Sequence, residues 1–455
     1  MHAHPDRPSQ SPPPWRQCRN RQEAAALSKP LSTTMSSLAE DAHEENPLME
    51  HHPLVLDPTG RSRLQEEQAL HAADGPVLVD ILGEKAWAIG SQELLMRLLT
   101  DDRVSKDPRQ HWPRFISGEI VGKWPLYIQV AVNNMFTAYG TDHRRLRRLV
   151  SPAFSTRRTA QLIPSVIGNT DLLLDQIAGL STHVVDLREE FAAQLPVAVI
   201  SDLLGIPQTL RTGFRTTIDR MWNTTSTPAE AVQATQDVYK MLSDLVAQKR
   251  SAPADDLTTV LIASRDDEGD GSALTEEELT DTLLLVIAAG YETTINLLDS
   301  AITALLANPG QLTKVLHGEV TWSAVVEETL RFAAPVSHIP MRYAVEDIPL
   351  ATATIRKGDA ILASYGAASR DPKIHGETTG TFDITRTDKR HVAFGHGVHF
   401  CLGAPLARAE ATQALPRLFA RFPRMRLAVP VEDLQPLPSI MGNGHTSLPV
   451  HLGPV

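Results

Sequence analysis

Residues 394–403 read Phe394-Gly395-His396-Gly397-Val398-His399-Phe400-Cys401-Leu402-Gly403. One cysteine stands among three glycines, and the pattern of residues 402–415 predicts a helix that starts just after the thiol, with Pro405 tolerated in its first turn. A thiol that is only packed needs no such surroundings. A metal-bound thiolate needs charge stabilisation, close backbone approach and shielding from water. Free N–H groups and the positive dipole end of the following helix would stabilise a sulfur anion. Gly397 and Gly403 allow the backbone to close around the sulfur, and Phe394 is placed to cover it. The only other cysteine, Cys18, lies far away in a tail-like segment, so a paired-cysteine zinc site cannot be assembled.

The rest of the composition bounds the answer. At 455 residues, 42% hydrophobic and 21% charged, the chain has ample material for a globular core. A net charge of -11 argues against a general nucleic-acid binder, and two cysteines make no disulfide framework. No apolar signal core and no apolar run of membrane-spanning length appears, which predicts a cytoplasmic protein without a membrane anchor. Residues 1–46 are rich in Pro, Ser, Gln, Arg and Glu and predict a disordered extension, within which Met35 offers an alternative start. Residues 47–455 show no central linker or repeat and are expected to form a single domain.

Along that domain, residues 77–81 and 86–89 read as a hairpin joined by Leu82-Gly83-Glu84-Lys85, followed by a helix over 91–100 capped by Ser91. Residues 105–135 mix aromatics with breakers, and Trp112 and Phe115 are candidates either to line a ligand pocket or to anchor a loop. In Gly140-Thr141-Asp142-His143-Arg144-Arg145-Leu146-Arg147-Arg148 a helix puts His143 and Arg147 on one face and Arg144 and Arg148 on an adjacent stripe, which by itself also fits a solvated basic face. Successive amphipathic helices follow over 156–250, broken near Gly205-Ile206-Pro207 and again between Thr224 and Pro228.

Thr275-Glu276-Glu277-Glu278 opens a long helix: Thr275 caps it, Glu278 completes a capping box and acids crowd the first turn. It should run to Ala307, roughly 45 to 50 Å at about 1.5 Å per residue. In its middle, Ala289-Gly290-Tyr291-Glu292-Thr293-Thr294 interrupts an apolar stripe with groups that weaken helix propensity and bring polarity into the core. Such violations of local preference are where function is expected.

The spacing Phe-x-x-Gly-x-x-x-Cys-x-Gly, with Ala-Gly-x-Glu-Thr-Thr upstream, resembles the cytochrome P-450 superfamily of haem-thiolate monooxygenases, in its soluble bacterial branch. The resemblance covers roughly residues 53–452 and implies a mainly α fold with a minor β region, a long central distal helix, and a cysteine loop leading into a proximal helix. It implies haem b with Cys401 as the iron ligand, bordered by Phe394, Gly395 and Gly403. Ala289 and Gly290 would pass close to the haem, Gly290 leaving room for oxygen and water where the helix opens. Thr293 would position dioxygen and Glu292 would feed protons. His143, Arg147, Arg342 and His399 match propionate contacts. Glu328 and Arg331 match a buried Glu-x-x-Arg pair that braces the cysteine loop, with Arg386 as the third member, displaced from its usual place. Substrate contacts would come from Trp112, Phe115, Met221, Trp222, Ile287, Val336, Ile339, Ile440 and Met441.

The activity implied is hydroxylation or epoxidation of a large apolar molecule such as a macrolide, polyketide or steroid, using O2 and electrons from NAD(P)H through a ferredoxin and its reductase, with Arg144 and Arg148 docking the acidic partner. Two alternatives are a peroxide-driven peroxygenase, against which Glu292-Thr293 speaks, and a non-catalytic haem sensor, which needs no proton relay.

Overall fold

The computed structural model describes residues 52–453 except 183, 208–210, 212, 215–227, 268 and 270. The sequence-predicted extension 1–46, and with it Cys18, lies outside the described residues. A six-stranded sheet is built from β1 (Leu54–Val55), β2 (Val77–Ile81), β3 (Glu84–Ile89), β4 (Val104–Ser105), β5 (Ile339–Ala344) and β6 (Ala360–Ala363), in the spatial order β1-β2-β3-β6-β5-β4. The β2–β3 hairpin is tighter than its sequence suggests. Leu82 and Gly83 both take positive φ, 55° and 92°, in a two-residue turn whose twist suits the flanking strands, so β3 begins at Glu84. Asp80 Oδ1 accepts from the Gly83 N–H at 2.7 Å and holds that turn.

Helix α1 (Gln92–Leu99) starts as expected from Ser91, whose hydroxyl accepts from Leu94 N–H. It is followed along the chain by α2 (Gly140–Val150), α3 (Thr156–Ala178) and α4 (Gln194–Leu204), which ends at Gly205 in the left-handed conformation that glycine alone adopts cheaply. One π-helical turn, Arg188–Ala192, precedes α4. Helix α5 (Glu276–Ala307) has the capping box in full, with Thr275 and Glu278 exchanging side-chain to backbone bonds. Most of its residues are buried because α4, α6 (Trp322–Phe332), α7 (Ala404–Arg421) and the π-turn all pack on it. Helix α3 in turn packs along α7. No helix among the described residues is long and apolar enough to cross a membrane.

Helix and sheet meet at β5. Its Arg342 arrives just after a register shift between Ile339 and Arg342, an irregularity of the kind that re-aims side chains. This brings the sheet edge, α2 and the cysteine loop into one neighbourhood.

Candidate functional site

Helix α7 begins at Ala404, two residues later than the sequence pattern suggests, so Cys401 precedes the first turn. Burial pushes the Cys401 thiol up, and the Gly403 and Ala404 N–H groups together with Arg147 pull it back toward the anion. The Cys401 N–H donates to Phe394 O at 2.9 Å and closes the loop on itself. Gly397 has a different task from the one expected. At φ +70° a Cβ there would stand 2.5 Å from Leu99 O, so this glycine lets the loop rest on the end of α1 and does not serve the sulfur. At Gly403 a Cβ would only reach ordinary contact with Sγ, at 3.8 Å. Phe394 lies under the Arg408 guanidinium, 4.5 Å from its ring centroid, and Arg408 is gripped by both oxygens of Glu327.

The segment that leads to the loop is braced from α6. Glu328 and Arg331 are fully buried and paired at 2.8 and 2.9 Å; Arg331 also donates to Thr379 O and Thr381 O, and Glu328 accepts from Asp383 N–H. Arg386 joins them, its Nε 3.5 Å from Glu328 Oε1. Helical spacing puts the acid and base three apart on one face, and burial makes the pair rigid rather than a surface ornament.

Beside the thiol, four basic side chains from three elements converge. The rings of His143 and His399 meet at a tilt of 46°, with centroids 4.1 Å apart. Arg147 donates to Phe400 O at 2.6 Å, and Arg342 Nη2 donates to Tyr365 Oη at 2.9 Å. His143 Nε2 and Arg342 Nη1 are buried without a hydrogen-bond partner among the described residues. Burial, then Arg147 and Arg144, drop His143 to about 4; burial and the surrounding cations drive His399 well below its ordinary value. Orphaned donors of this kind are rare in cores. The donor set fits a buried anionic ligand with more than one acceptor.

Helix α5 is continuous through its polar middle and does not open at Gly290. A Cβ at Gly290 would meet Ile200 Cδ1 at 3.1 Å, so this glycine admits α4 rather than making room for oxygen. Ala289 is exposed in mid-helix, and Thr293, one turn on along the same face, is half-buried. Thr293 Oγ1 donates to Ala289 O at 2.5 Å. Glu292 turns to the neighbouring sector, where Arg188 of the π-turn donates to it at 2.9 Å; Arg188 also bonds Asn296 at 3.0 Å and approaches Asp299 at 3.5 Å. Burial raises Glu292 above the usual carboxylate range, against the lowering effect of Arg188.

The expected substrate contacts scatter. Trp112 is 3% exposed, stacked on Tyr343 and edge-on to Trp124, and Phe115 stacks on Tyr127; with Ile440 they belong to the core over the sheet, because large flat rings fill that layer. The aromatic segment anchors its loops. Ile287 is buried on α5. Val336, Ile339 and Met441 are half-buried, and the bridge Val336–Gly442 with the Ser337 N–H to Met441 O bond draws the first and last together. Met221 and Trp222 lie outside the described residues.

The basic stripe also divides. Arg144 is exposed, whereas Arg148 grips Asp266 with two bonds of 2.7 and 2.8 Å, so it is not a free docking cation. Asp266, the first acid of the loop at 266–271, thus has its charge partner. Sequence reasoning missed Arg188, which follows no motif, and Lys106, which sits in an unpatterned segment; only tertiary contact reveals either.

The cytochrome P450 family model matches residues 221–438. The chain is 41% identical to 2-hydroxy-5-methyl-1-naphthoate 7-hydroxylase of Streptomyces carzinostaticus over 88% of this chain and 97% of that one. Among solved structures, it is 54% identical to CYP154A1 of Streptomyces coelicolor A3(2), with a TM-score of 0.81 over 88% of this chain and all of that one, 100%. It is 40% identical to testosterone-bound CYP154C4 of Streptomyces sp. ATCC 11861, with a TM-score of 0.84 over 89% of this chain and 99% of that one. Long, nearly end-to-end matches at such identity establish that this chain belongs to the cytochrome P450 family.

Proposed function

We propose that Cys401 is the thiolate ligand of the haem iron and that the haem propionates are received by His143, Arg147, Arg342 and His399. The observation that carries this reading is the pair of buried, unpartnered donors on His143 and Arg342 beside a thiol whose own loop supplies N–H groups to a sulfur anion. When bound, the haem supplies oxygen activation, with the thiolate pushing electron density onto iron to favour O–O cleavage. The chain's residues do the rest. Arg331, Glu328 and Arg386 fix the approach of the cysteine loop. Thr293, whose hydroxyl donates to Ala289 O, and Glu292 one residue before it, its carboxyl raised by burial and paired with Arg188, are the alcohol and acid that would position and pass protons.

The activity is hydroxylation or epoxidation of an apolar polycyclic or macrocyclic molecule, with electrons delivered by a ferredoxin and its reductase in the cytoplasm. A naphthoate hydroxylase and a testosterone complex among the similar proteins support that substrate class. The acid and alcohol at 292 and 293 support dioxygen rather than peroxide as the oxidant.

The test is a spectral binding screen of the purified holoprotein against steroids, macrolides and naphthoates. It is followed by turnover with NADH or NADPH, a ferredoxin and its reductase. Oxygenated product with steady reductant consumption is the expected result. Haem that binds ligands but yields no product with either reductant or added peroxide would favour a sensor.

A further inference from the structure

Lys106 is 3% exposed, and its ammonium stands 3.4 Å from the centroid of the Phe136 ring. Among the described residues it has no carboxylate partner and no hydrogen-bond acceptor. The adjacent Asp107 does not serve, since its carboxylate is taken by the Arg109 N–H and the Gln110 amide, at 2.9 Å each. An aromatic face stabilises a buried ammonium only in part, and its three N–H donors still need acceptors.

The position of this lysine in the sheet says what is missing. β4 pairs antiparallel with β5 through Val104↔Ala344 and Ser105↔Tyr343. Lys106 follows directly on β4, and continuing that register by one step, beyond the last bonded pair, sets it level with Arg342. Like charges directly opposite on a ladder are destabilising, and here both are buried. The charge of Lys106 also reaches His399. Two buried cations, Lys106 and Arg342, therefore stand beside the imidazoles of His143 and His399 and the half-buried Arg147, and no ion pair with an acid forms at either cation among the described residues. An arrangement of this kind is stable only around an anion that accepts from several donors at once.

We propose that Lys106 is a fifth propionate donor, positioning the haem from the sheet side together with Arg342. This inference rests on the reading of His143, Arg147, Arg342 and His399 as propionate contacts. Cation–π contact with Phe136 then holds the ammonium in place rather than being its purpose.

The test uses the holoprotein, with haem loss followed optically during transfer to excess apomyoglobin, and with the ferric/ferrous reduction potential measured in parallel. Lys106→Met should lose haem about tenfold faster, the equivalent of one charge-assisted hydrogen bond. Its reduction potential should move in the negative direction, because a cation that favours the ferrous state has gone. Lys106→Arg should restore most of both, and Phe136→Leu should hold haem within about twofold of the parent, since an aromatic contact is the weaker term. Lys106→Gln keeps a neutral donor at similar length and serves where the methionine variant does not fold; it should fall between Lys106→Arg and Lys106→Met. Haem loss and potential unchanged in Lys106→Met and Lys106→Gln would overturn the assignment. Arg342→Met separates the two readings. If it sheds haem quickly while the Lys106 variants do not, only this inference fails; if it too retains haem, the propionate site as a whole is misplaced.

Discussion

The cysteine loop and the middle of α5 both bring polar groups into an apolar interior, and they commit those groups in opposite ways. Around Cys401 the bonds hold framework to framework: Cys401 N–H to Phe394 O, Arg331 to the carbonyls of Thr379 and Thr381, Arg408 to Glu327. None of them has to break for the sulfur to serve as a ligand. In α5 the two functional candidates are already engaged by the protein, Glu292 with Arg188 and Thr293 with Ala289 O. For either to handle a proton, its present bond must be exchanged. The comparison separates a site built to stay from a site built to change partners, and each half of it can be broken by substitution.

The largest effect belongs to the sulfur. Cys401→Ser should abolish the red-shifted carbonyl absorption of the reduced protein and all reductant-driven turnover; retention of that band would remove Cys401 as the ligand. Next comes the brace. Arg331→Met leaves Glu328 buried with only a longer contact to Arg386 and one backbone donor, and breaking a buried pair from one side costs about 3–5 kcal/mol. The denaturation midpoint and the haem-loaded fraction should both fall. A double variant, Glu328→Leu with Arg331→Met, should recover part of the stability, since no unpaired charge remains. If the single variant proved as stable as the parent, the loop would not be held from α6, and the contrast with α5 would lose its fixed half.

Those two predictions concern features that are legible in the amino-acid sequence. The cysteine loop, the capping box at Thr275 and the Glu328–Arg331 spacing are local: the residues that cooperate lie within one loop or one turn, so spacing alone exposes them. What stayed hidden depends on chain segments far apart. Gly290 looks like an opening in a helix and is instead the seat of Ile200; Gly397 looks like a sulfur clamp and instead clears Leu99 O. Trp112 and Phe115 have the composition of a pocket lining, but the sheet beneath them supplies aromatic and aliphatic partners that bury them in the core. Arg148 reads as one of a stripe until Asp266 is found against it. Lys106 and Arg188 carry no sequence signal because each acquires meaning only from a neighbour more than a hundred residues away.

The exchangeable half is tested at Glu292. Positioned acid–base steps contribute about 10²–10⁴-fold, so Glu292→Gln should slow turnover by about a hundredfold while leaving haem binding and the carbonyl band intact. The pH dependence gives the sign. Burial raises this carboxyl and Arg188 lowers it, so Arg188→Met should raise it further. The proton donor then stays protonated to higher pH, and the alkaline fall in turnover moves upward. A shift in the opposite direction would mean that Glu292 acts only as a counterion to Arg188. Thr293→Ala should affect the rate of reductant consumption less than its outcome. Product formed per reductant should drop severalfold and hydrogen peroxide should rise, because a hydroxyl that directs protons has been removed. A fully coupled Thr293→Ala protein would leave the bond to Ala289 O as this hydroxyl's whole purpose, a back-bonded threonine of the ordinary helical kind.

The smallest effect should come from the surface, where neither kind of commitment applies. Arg144 is exposed on α2, directly after the buried His143, while its neighbours Arg145 and Arg148 are tied to Glu278 and Asp266. Of that stripe, Arg144 therefore has the charge best placed to meet an acidic electron donor. Electron-transfer encounters bury little area, and a rim charge acts on association rate more than on affinity. An exposed pair is worth about 0.2–1 kcal/mol, so Arg144→Glu should slow ferredoxin-supported turnover at low salt by about two- to fivefold, a difference that fades as the Debye length shrinks. Substrate affinity and the carbonyl band should not change. Arg148→Glu should behave differently, lowering stability by repelling the buried Asp266 before it alters any encounter. Equal and purely kinetic effects of the two reversals would show that Asp266 releases Arg148 when a partner arrives, which would place this surface with the exchangeable half of the molecule rather than outside both.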